Sequence, residues 1–133
     1  ILKSLPGNKY IYTNGSKSHA INVMKRLGIN NYITKIFDIE NANYIPKPSM
    51  KPLKYFIKKY NILAKEAIFF EDIPKNLINP KKVGFQTVLI KNNSHPDNNT
   101  DILDKEKLQH DFVDHISFDI TASLEQIYLD INN

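Results

Sequence analysis

The sequence contains no cysteine and a single arginine, Arg26. The lack of cysteine excludes disulfide frameworks, thiolate nucleophiles and cysteine-based zinc sites. It also fits a reducing compartment, so we expect a cytoplasmic protein. No apolar run is long enough to span a bilayer, and the first residues lack the apolar stretch of a secretory signal, so we expect no membrane association.

The charge of the chain is modestly positive, with 18 basic residues, 14 acidic residues and a net charge of +4. The basic residues are almost all lysines, which are spread along the chain without a basic block. Lysine reads bases less specifically than arginine, so we expect no nucleic-acid partner. The length of 133 residues and the hydrophobic content of 41% suit one core, and we expect one domain over residues 1–133.

Strand-like apolar runs alternate with helix-like segments along the chain, which predicts an α/β fold with a mainly parallel sheet. The run 67–70 is continuously apolar, and this indicates a strand covered on both faces. The polar stretch 91–100 predicts an exposed loop. The predicted strands are 9–13, 36–39, 67–70, 85–90 and 115–118. The predicted helices are 16–28, 49–60, a short helix over 77–84 that Pro80 kinks or shortens, and a last helix capped by Thr121.

Polar residues stand where two of the predicted strands end and where one helix begins. In open parallel sheets, ligand sites form outside the carboxyl ends of the strands, so these residues are candidates for one site. In chain order they are Thr13, Asn14, Gly15, Lys47, Glu71 and Asp72.

Each of these groups suits the binding of a phosphate ester. The Thr13 hydroxyl and the free N–H groups of a strand-to-helix turn form an anion site, which the helix dipole strengthens. Lys47 adds a full positive charge for phosphate oxygens. Glu71 and Asp72 are adjacent carboxylates, and Mg²⁺ prefers carboxylates, water and substrate phosphate as ligands.

Each group also has a plain structural explanation. Thr13 stands in a turn where it can cap a helix, and Lys47 can be a solvated lysine between turn prolines. Glu71 and Asp72 can cap the helix that follows them. The ordered set of three favours a phosphate site over three unrelated turns.

The histidines give a weaker signal than these clusters. The segment 110–115 contains His110, His115 and two aspartates, but nothing else supports a metal there, and we interpret it as a surface segment. His19 and His95 have no nucleophile partner in the pattern of the sequence, so we assign them no catalytic role.

Three motifs in this order resemble those of the haloacid dehalogenase-type phosphohydrolases. Residues 10–15, Tyr-Ile-Tyr-Thr-Asn-Gly, look like the second motif, an apolar strand that ends in Thr or Ser. Residues 46–48, Pro-Lys-Pro, resemble the third, and residues 68–77, Ile-Phe-Phe-Glu-Asp-Ile-Pro-Lys-Asn-Leu, resemble the fourth. The resemblance covers residues 5–90, and its Lys-Pro, Phe-Phe-Glu-Asp and Asn-Leu pairs are similar to a subgroup that includes pyrimidine 5′-nucleotidases.

The resemblance implies a Rossmann-like three-layer core and a role for each motif residue. Thr13 and Lys47 are implied as catalytic residues: the first binds the transferring phosphoryl group, and the second stabilises its charge. Asn14 and Gly15 complete the phosphate-binding turn, with Asn14 adding its backbone N–H.

The metal residues and the substrate class are implied in the same way. Asp72 would ligate Mg²⁺ directly, Glu71 would sit near the waters of the metal, and Asn76 would shape the acidic loop. The implied substrate is a small phosphorylated metabolite, with nucleoside monophosphates as candidates.

The sequence departs from the family in its first motif, because Asp-x-Asp occurs nowhere in the 133 residues. In the family this motif supplies the nucleophile, on a central strand, and a substrate-selecting helical cap follows it. We expect both to precede Ile1, which would leave an incomplete core. A separate N-terminal fragment or a homodimer would then complete the sheet.

Two interpretations of function follow from this departure. In the first, the chain is the C-terminal part of a magnesium-dependent phosphomonoesterase and is inactive alone, because an aspartyl-phosphate mechanism needs the missing carboxylate. In the second, it is an inactive remnant, a complementing subunit or a phosphate-binding module without turnover of its own.

Overall fold

The structure, a computed structural model, describes residues 1–92 and 111–133. Five short strands and four α-helices lie within these two ranges, and the first four strands alternate with helices, as the hydrophobic pattern predicts. The strands are β1 (Tyr10–Tyr12), β2 (Lys35–Phe37), β3 (Ile68–Glu71), β4 (Gln86–Ile90) and β5 (His115–Ser117). The helices are α1 (Lys17–Leu27), α2 (Met50–Lys59), α3 (Ile78–Val83) and α4 (Ile120–Asn132), and 3₁₀ turns cover Asn30–Tyr32, Ala64–Glu66 and Pro74–Leu77.

All strand pairs in the described residues are parallel, but they form two sheets. β1 pairs with β2 in one sheet, and β3, β4 and β5 lie in that order in the other. The prediction of an α/β fold with a parallel sheet is therefore confirmed. The division into two sheets leaves one edge of β1 and one edge of β3 without a strand neighbour in the described part of the chain.

One hydrophobic core spans the two sheets. Its buried members include Phe37 of β2, Phe56 of α2, Phe69 of β3 and Leu89 of β4. The ring of Tyr12 lies between the sheets, with ring-centroid distances of 4.9 Å to Phe37 and 6.1 Å to Phe69. Aromatic packing therefore joins β1 and β3 although no backbone hydrogen bonds do.

The ends of α1 and α2 follow the signals in the sequence. The Ser16 side chain caps α1 by accepting a hydrogen bond from the His19 N–H, and Gly28 ends the helix with a positive φ of 69°. That backbone conformation is one that glycine adopts without steric cost. Pro52 lies in the first turn of α2, where it replaces no intrahelical hydrogen bond.

Two local predictions were wrong. The cap of α4 is Asp119, whose carboxylate accepts from two helix N–H groups including that of Thr121, so Thr121 itself lies inside the first turn. The run 67–70 is not covered on both faces, because Phe69 is buried whereas Ile68 and Phe70 are half-buried.

Some predictions fall on residues that the structure leaves undescribed. Most of the polar stretch 91–100 lies outside the described residues, as do His95 and His110. No helix within the described ranges is long and apolar enough to cross a membrane.

A cluster of polar side chains holds the segment before β5 against β4 through hydrogen bonds. The buried Thr87 N–H donates to Asp114 Oδ2 at 2.8 Å, and the Asp114 N–H donates to Thr87 Oγ1 at 3.0 Å. Lys81 Nζ pairs with Asp114 Oδ1 at 2.5 Å. Burial raises the pKa of Asp114, but the hydrogen bonds and charge of Lys81 and the hydrogen bonds of Thr87 outweigh burial and bring the pKa below its ordinary value of 3.8.

This lowered pKa predicts a loss of stability in acid. The ionised Asp114 stabilises the fold fully above pH 3.8, and the contribution disappears as the pH falls toward the lower pKa of the folded state. Asp114→Asn should reduce the free energy of unfolding at pH 7 by about 1 kcal/mol and weaken its dependence on pH. Urea unfolding between pH 3 and pH 7 measures both quantities.

Asp111→Asn, at an exposed carboxylate of the same segment, is the matched control and should leave the pH dependence intact. Equal pH profiles for the two variants would contradict the role of Asp114.

Candidate functional site

The Lys47 side chain bridges the carboxyl ends of the two sheets. Its ammonium donates to the Tyr12 carbonyl oxygen at 3.2 Å, at the end of β1, and to Glu71 Oε2 at 2.6 Å, at the end of β3. The Lys47 and Glu71 side chains are only 14% and 6% exposed, so this is a largely buried ion pair. The same ammonium lies 5.5 Å from the centroid of the Tyr12 ring, within the range of a cation–π contact.

Glu71 has both carboxylate oxygens engaged. Oε2 pairs with Lys47, and Oε1 accepts from the backbone N–H groups of Asp72 and Ile73 at 3.2 and 3.4 Å. The side chain therefore fixes the start of the acidic loop and neutralises the lysine. Sequence reasoning placed Glu71 near a metal, and it missed the pairing with Lys47.

The turn after β1 lies beside the Lys47 backbone. Thr13 Oγ1 accepts from the Gly15 N–H at 3.0 Å, and Asn14 Oδ1 accepts from the Lys47 N–H at 2.7 Å. The structure thus brings together the turn 13–15 and Lys47, which are far apart in sequence. Sequence reasoning gave Asn14 a role through its backbone N–H and missed the side chain as the link to Lys47.

Asp38 is a buried residue of this region that sequence reasoning missed. It follows β2, and its Oδ2 accepts from the Lys17 N–H at 3.0 Å, in the first turn of α1. Its Oδ1 accepts from the Asn41 N–H at 2.9 Å, and Asn41 Oδ1 accepts from the Asp38 N–H at 3.1 Å. The sequence signal was an acid directly after an apolar strand with Asn three residues later, a pairing typical of Asx turns. Asp38 fixes the start of α1 next to the Thr13 turn.

Asp72 differs from its neighbour in being exposed. Its carboxylate makes no hydrogen bond or ion pair with the described part of the chain, whereas that of Glu71 is fully engaged. No group of three metal-ligating side chains forms within residues 1–92 and 111–133. Within the described chain Asp72 is therefore a single exposed carboxylate and not part of a preformed cluster of metal ligands.

Asn76 lies in the 3₁₀ turn that follows the acidic loop and is 3% exposed. It lines a small cavity together with Tyr12, Lys47, Pro48 and other residues. Burial raises the pKa of Tyr12 to about 12, so its phenol is neutral at physiological pH. Asn76 is therefore buried directly behind the acidic loop, and its role in shaping that loop stays a prediction.

Comparison with protein families gives a match over more than half of the chain. The family model described as "Haloacid dehalogenase-like hydrolase" matches residues 2–90. None of the curated proteins matches the chain.

Several solved structures share the fold. A dehalogenase structure matches with a TM-score of 0.67 and 16% identity over 88% of this chain and 47% of its own. A putative beta-phosphoglucomutase from Thermotoga maritima matches with a TM-score of 0.62 and 13% identity over 83% and 47%. A HAD phosphatase from Thermococcus onnurineus matches with a TM-score of 0.63 and 22% identity over 86% and 49%. This chain therefore spans about half the length of these proteins.

The buried ion pair predicts a large effect of removing one partner. Lys47→Met leaves the Glu71 carboxylate buried without its cation, so the free energy of unfolding should fall by about 3 kcal/mol. The double variant Lys47→Met/Glu71→Leu removes both charges and should recover part of this loss. Urea unfolding followed by circular dichroism measures all three proteins.

Lys51→Met, at an exposed lysine of α2, is the control and should change stability by less than about 0.5 kcal/mol. Equal losses for Lys47→Met and Lys51→Met would show that the pair does not contribute as its burial indicates.

Proposed function

Since this chain belongs to the haloacid dehalogenase-like hydrolase family, we propose that it provides the phosphate-binding part of a magnesium-dependent phosphomonoesterase. The observation that carries the proposal is the meeting of the Thr13 turn with Lys47, whose N–H and Asn14 Oδ1 are 2.7 Å apart. An anion bound at the carboxyl ends of these strands would contact hydrogen-bond donors, a helix N-terminus and an ammonium group.

The turn has donors available for phosphate oxygens. Thr13 Oγ1 accepts from Gly15, which leaves the hydroxyl proton free to be donated. The Asn14 N–H makes no hydrogen bond within the described residues. A Cβ at Gly15 would lie 3.4 Å from Thr13 Oγ1, so glycine keeps the hydroxyl uncovered.

Lys47 supplies the charge in this proposal. An ammonium has three donors, and two of those of Lys47 are taken by Tyr12 and Glu71. The third can bind a phosphate oxygen without loss of the ion pair. Glu71 therefore holds the ammonium in position.

Asp72 is the residue that would hold Mg²⁺ in this proposal, because its carboxylate is exposed and unpaired within the described chain. When bound, the ion would neutralise the charge on the phosphate oxygens. Glu71 orders the loop that carries Asp72 through its bond to the Asp72 N–H.

The gap between the two sheets supports a proposal about partners. β1 and β3 each lack a strand neighbour on one edge in the described part, and Lys47 lies at the carboxyl end of this gap. We propose that a further strand, carrying the Asp-x-Asp motif of the family, fills the gap. The lysine would then stand next to the nucleophilic carboxylate.

The substrate in this proposal is a small phosphorylated metabolite, and the motif resemblance to pyrimidine 5′-nucleotidases makes nucleoside monophosphates the first class to test. A second candidate function is a phosphate-binding module or an inactive remnant. It differs from the first candidate in needing no Asp-x-Asp motif, which the 133 residues do not contain.

The partner proposal predicts what precedes Ile1 in the gene. The DNA before the Ile1 codon should encode Asp-x-Asp-x-Thr, in frame or as a separate reading frame. Sequencing of this region decides the point, and the absence of the motif would favour the second candidate function. Self-association of the 133-residue chain in sedimentation experiments would instead indicate that a second copy closes the gap.

The metal proposal predicts a loss of activity at Asp72. In the protein with its nucleophile-bearing strand present, Asp72→Asn should lower Mg²⁺-dependent hydrolysis of p-nitrophenyl phosphate on the order of 100-fold, because the variant loses a charged metal ligand. Steady-state kinetics over a range of Mg²⁺ concentrations measure the effect. Asp130→Asn, on the surface of α4, is the control and should retain full activity. Unchanged activity of the Asp72 variant would refute the metal role.

A further inference from the structure

The backbone of the Lys47-Pro48 dipeptide is held from two directions. The Lys47 N–H donates to Asn14 Oδ1 at 2.7 Å, in the turn after β1. The Pro48 carbonyl oxygen accepts from the side-chain amide of Asn79, which lies in α3. A carbonyl has no proton to give, so only the amide nitrogen of Asn79 can form this bond. Asparagine side chains therefore anchor both ends of the dipeptide.

These anchors restrict the backbone from which the Lys47 side chain starts. The ring of Pro48 fixes its own φ at about −65°, and a proline also restricts the residue before it. Between the anchored nitrogen of Lys47 and the anchored carbonyl oxygen of Pro48, the chain therefore has little freedom left. This matters for a lysine, because its long side chain has many rotamers and a shift of the backbone displaces all of them.

The two anchors belong to different halves of the candidate site. Asn14 follows β1, whereas Asn79 follows β3 and the acidic loop. The Lys47 ammonium makes the same division, with Tyr12 of β1 as one partner at 3.2 Å and Glu71 of β3 as the other at 2.6 Å. Each half thus binds the dipeptide once through its backbone and once through the ammonium.

Asn79 is the member of this arrangement that no sequence motif indicated. It is half-buried and lies just beyond the acidic-loop motif over 68–77. We propose that Asn79 is a positioning residue of the candidate phosphate site. By holding Pro48 it fixes the Lys47 ammonium beside Glu71 and leaves one donor for a phosphate oxygen. The link to phosphate rests on the proposed function, whereas the positioning of Lys47 does not.

A double-mutant cycle tests the positioning in the 133-residue chain. Lys47→Met should lower the urea midpoint of unfolding, and it should lower it clearly less in the Asn79→Ala background, because the ion pair is already weakened there. The matched control is Asn132→Ala, which removes a bond of the same kind, from Asn132 Nδ2 to the Tyr128 carbonyl oxygen at 2.7 Å in α4. In that background Lys47→Met should keep its full effect. Equal shifts of the midpoint by Lys47→Met with and without Asn79 would overturn the proposal.

Binding of inorganic phosphate tests the consequence for the site. Titrations followed by NMR chemical shifts should give a Kd about fivefold higher for Asn79→Ala than for the unmodified chain, a loss that corresponds to one typical hydrogen bond. The Kd of Asn132→Ala should not change. Equal phosphate affinity of Asn79→Ala and the unmodified chain would overturn the role of Asn79 in the site. If the unmodified chain binds no phosphate, the proposed phosphate site is refuted instead, and the double-mutant cycle decides the positioning of Lys47.

Discussion

The buried pair between Lys47 and Glu71 is the interaction on which the candidate site depends. Removal of two charges from water is costly, and their attraction offsets this cost only when further hydrogen bonds satisfy the remaining groups. Both partners have such hydrogen bonds here. The ammonium also donates to the Tyr12 carbonyl oxygen, and the carboxylate also accepts from N–H groups of the loop after β3. A single lysine therefore sets the distance between the ends of two sheets that share no strand pairing.

Other contacts position the segments around this pair. Asn14 fixes the backbone of Lys47, and Asp38 fixes the start of α1 beside the Thr13 turn. Behind them, aromatic rings such as Tyr12 and Phe37 pack at 4.9 Å and give the polar groups a rigid base. The polar edge and the apolar interior meet in Tyr12, whose carbonyl binds the lysine while its ring lies in the core.

The sequence was sufficient to predict the order and type of the described elements. It also indicated Thr13, Asn14 and Glu71, which the structure brings close to Lys47, but it did not indicate Asp38. Alternating apolar runs can be recognised within a short stretch of sequence. The capping signals at Ser16 and Gly28 likewise depend only on neighbouring residues. The pairing of Glu71 with Lys47 could not be predicted, because it joins residues 24 positions apart whose separation only the folded chain decides. The error at Thr121 has a local cause, since Asp119 and Thr121 are both good caps and the helix begins at the earlier one.

The two-sheet arrangement has a consequence for how the chain reaches its fold. Each sheet forms from segments that are near in sequence, with Lys9 and Thr34 only 25 residues apart and Thr87 and Asp114 only 27 apart. Loop closure over such distances carries a modest entropic cost, so each sheet can nucleate with its own helices. One core spans both sheets, so its formation couples the stability of the two halves. The free edges of β1 and β3 leave backbone N–H and C=O groups without strand partners in the described part of the chain, and such edges are templates on which a further strand can pair.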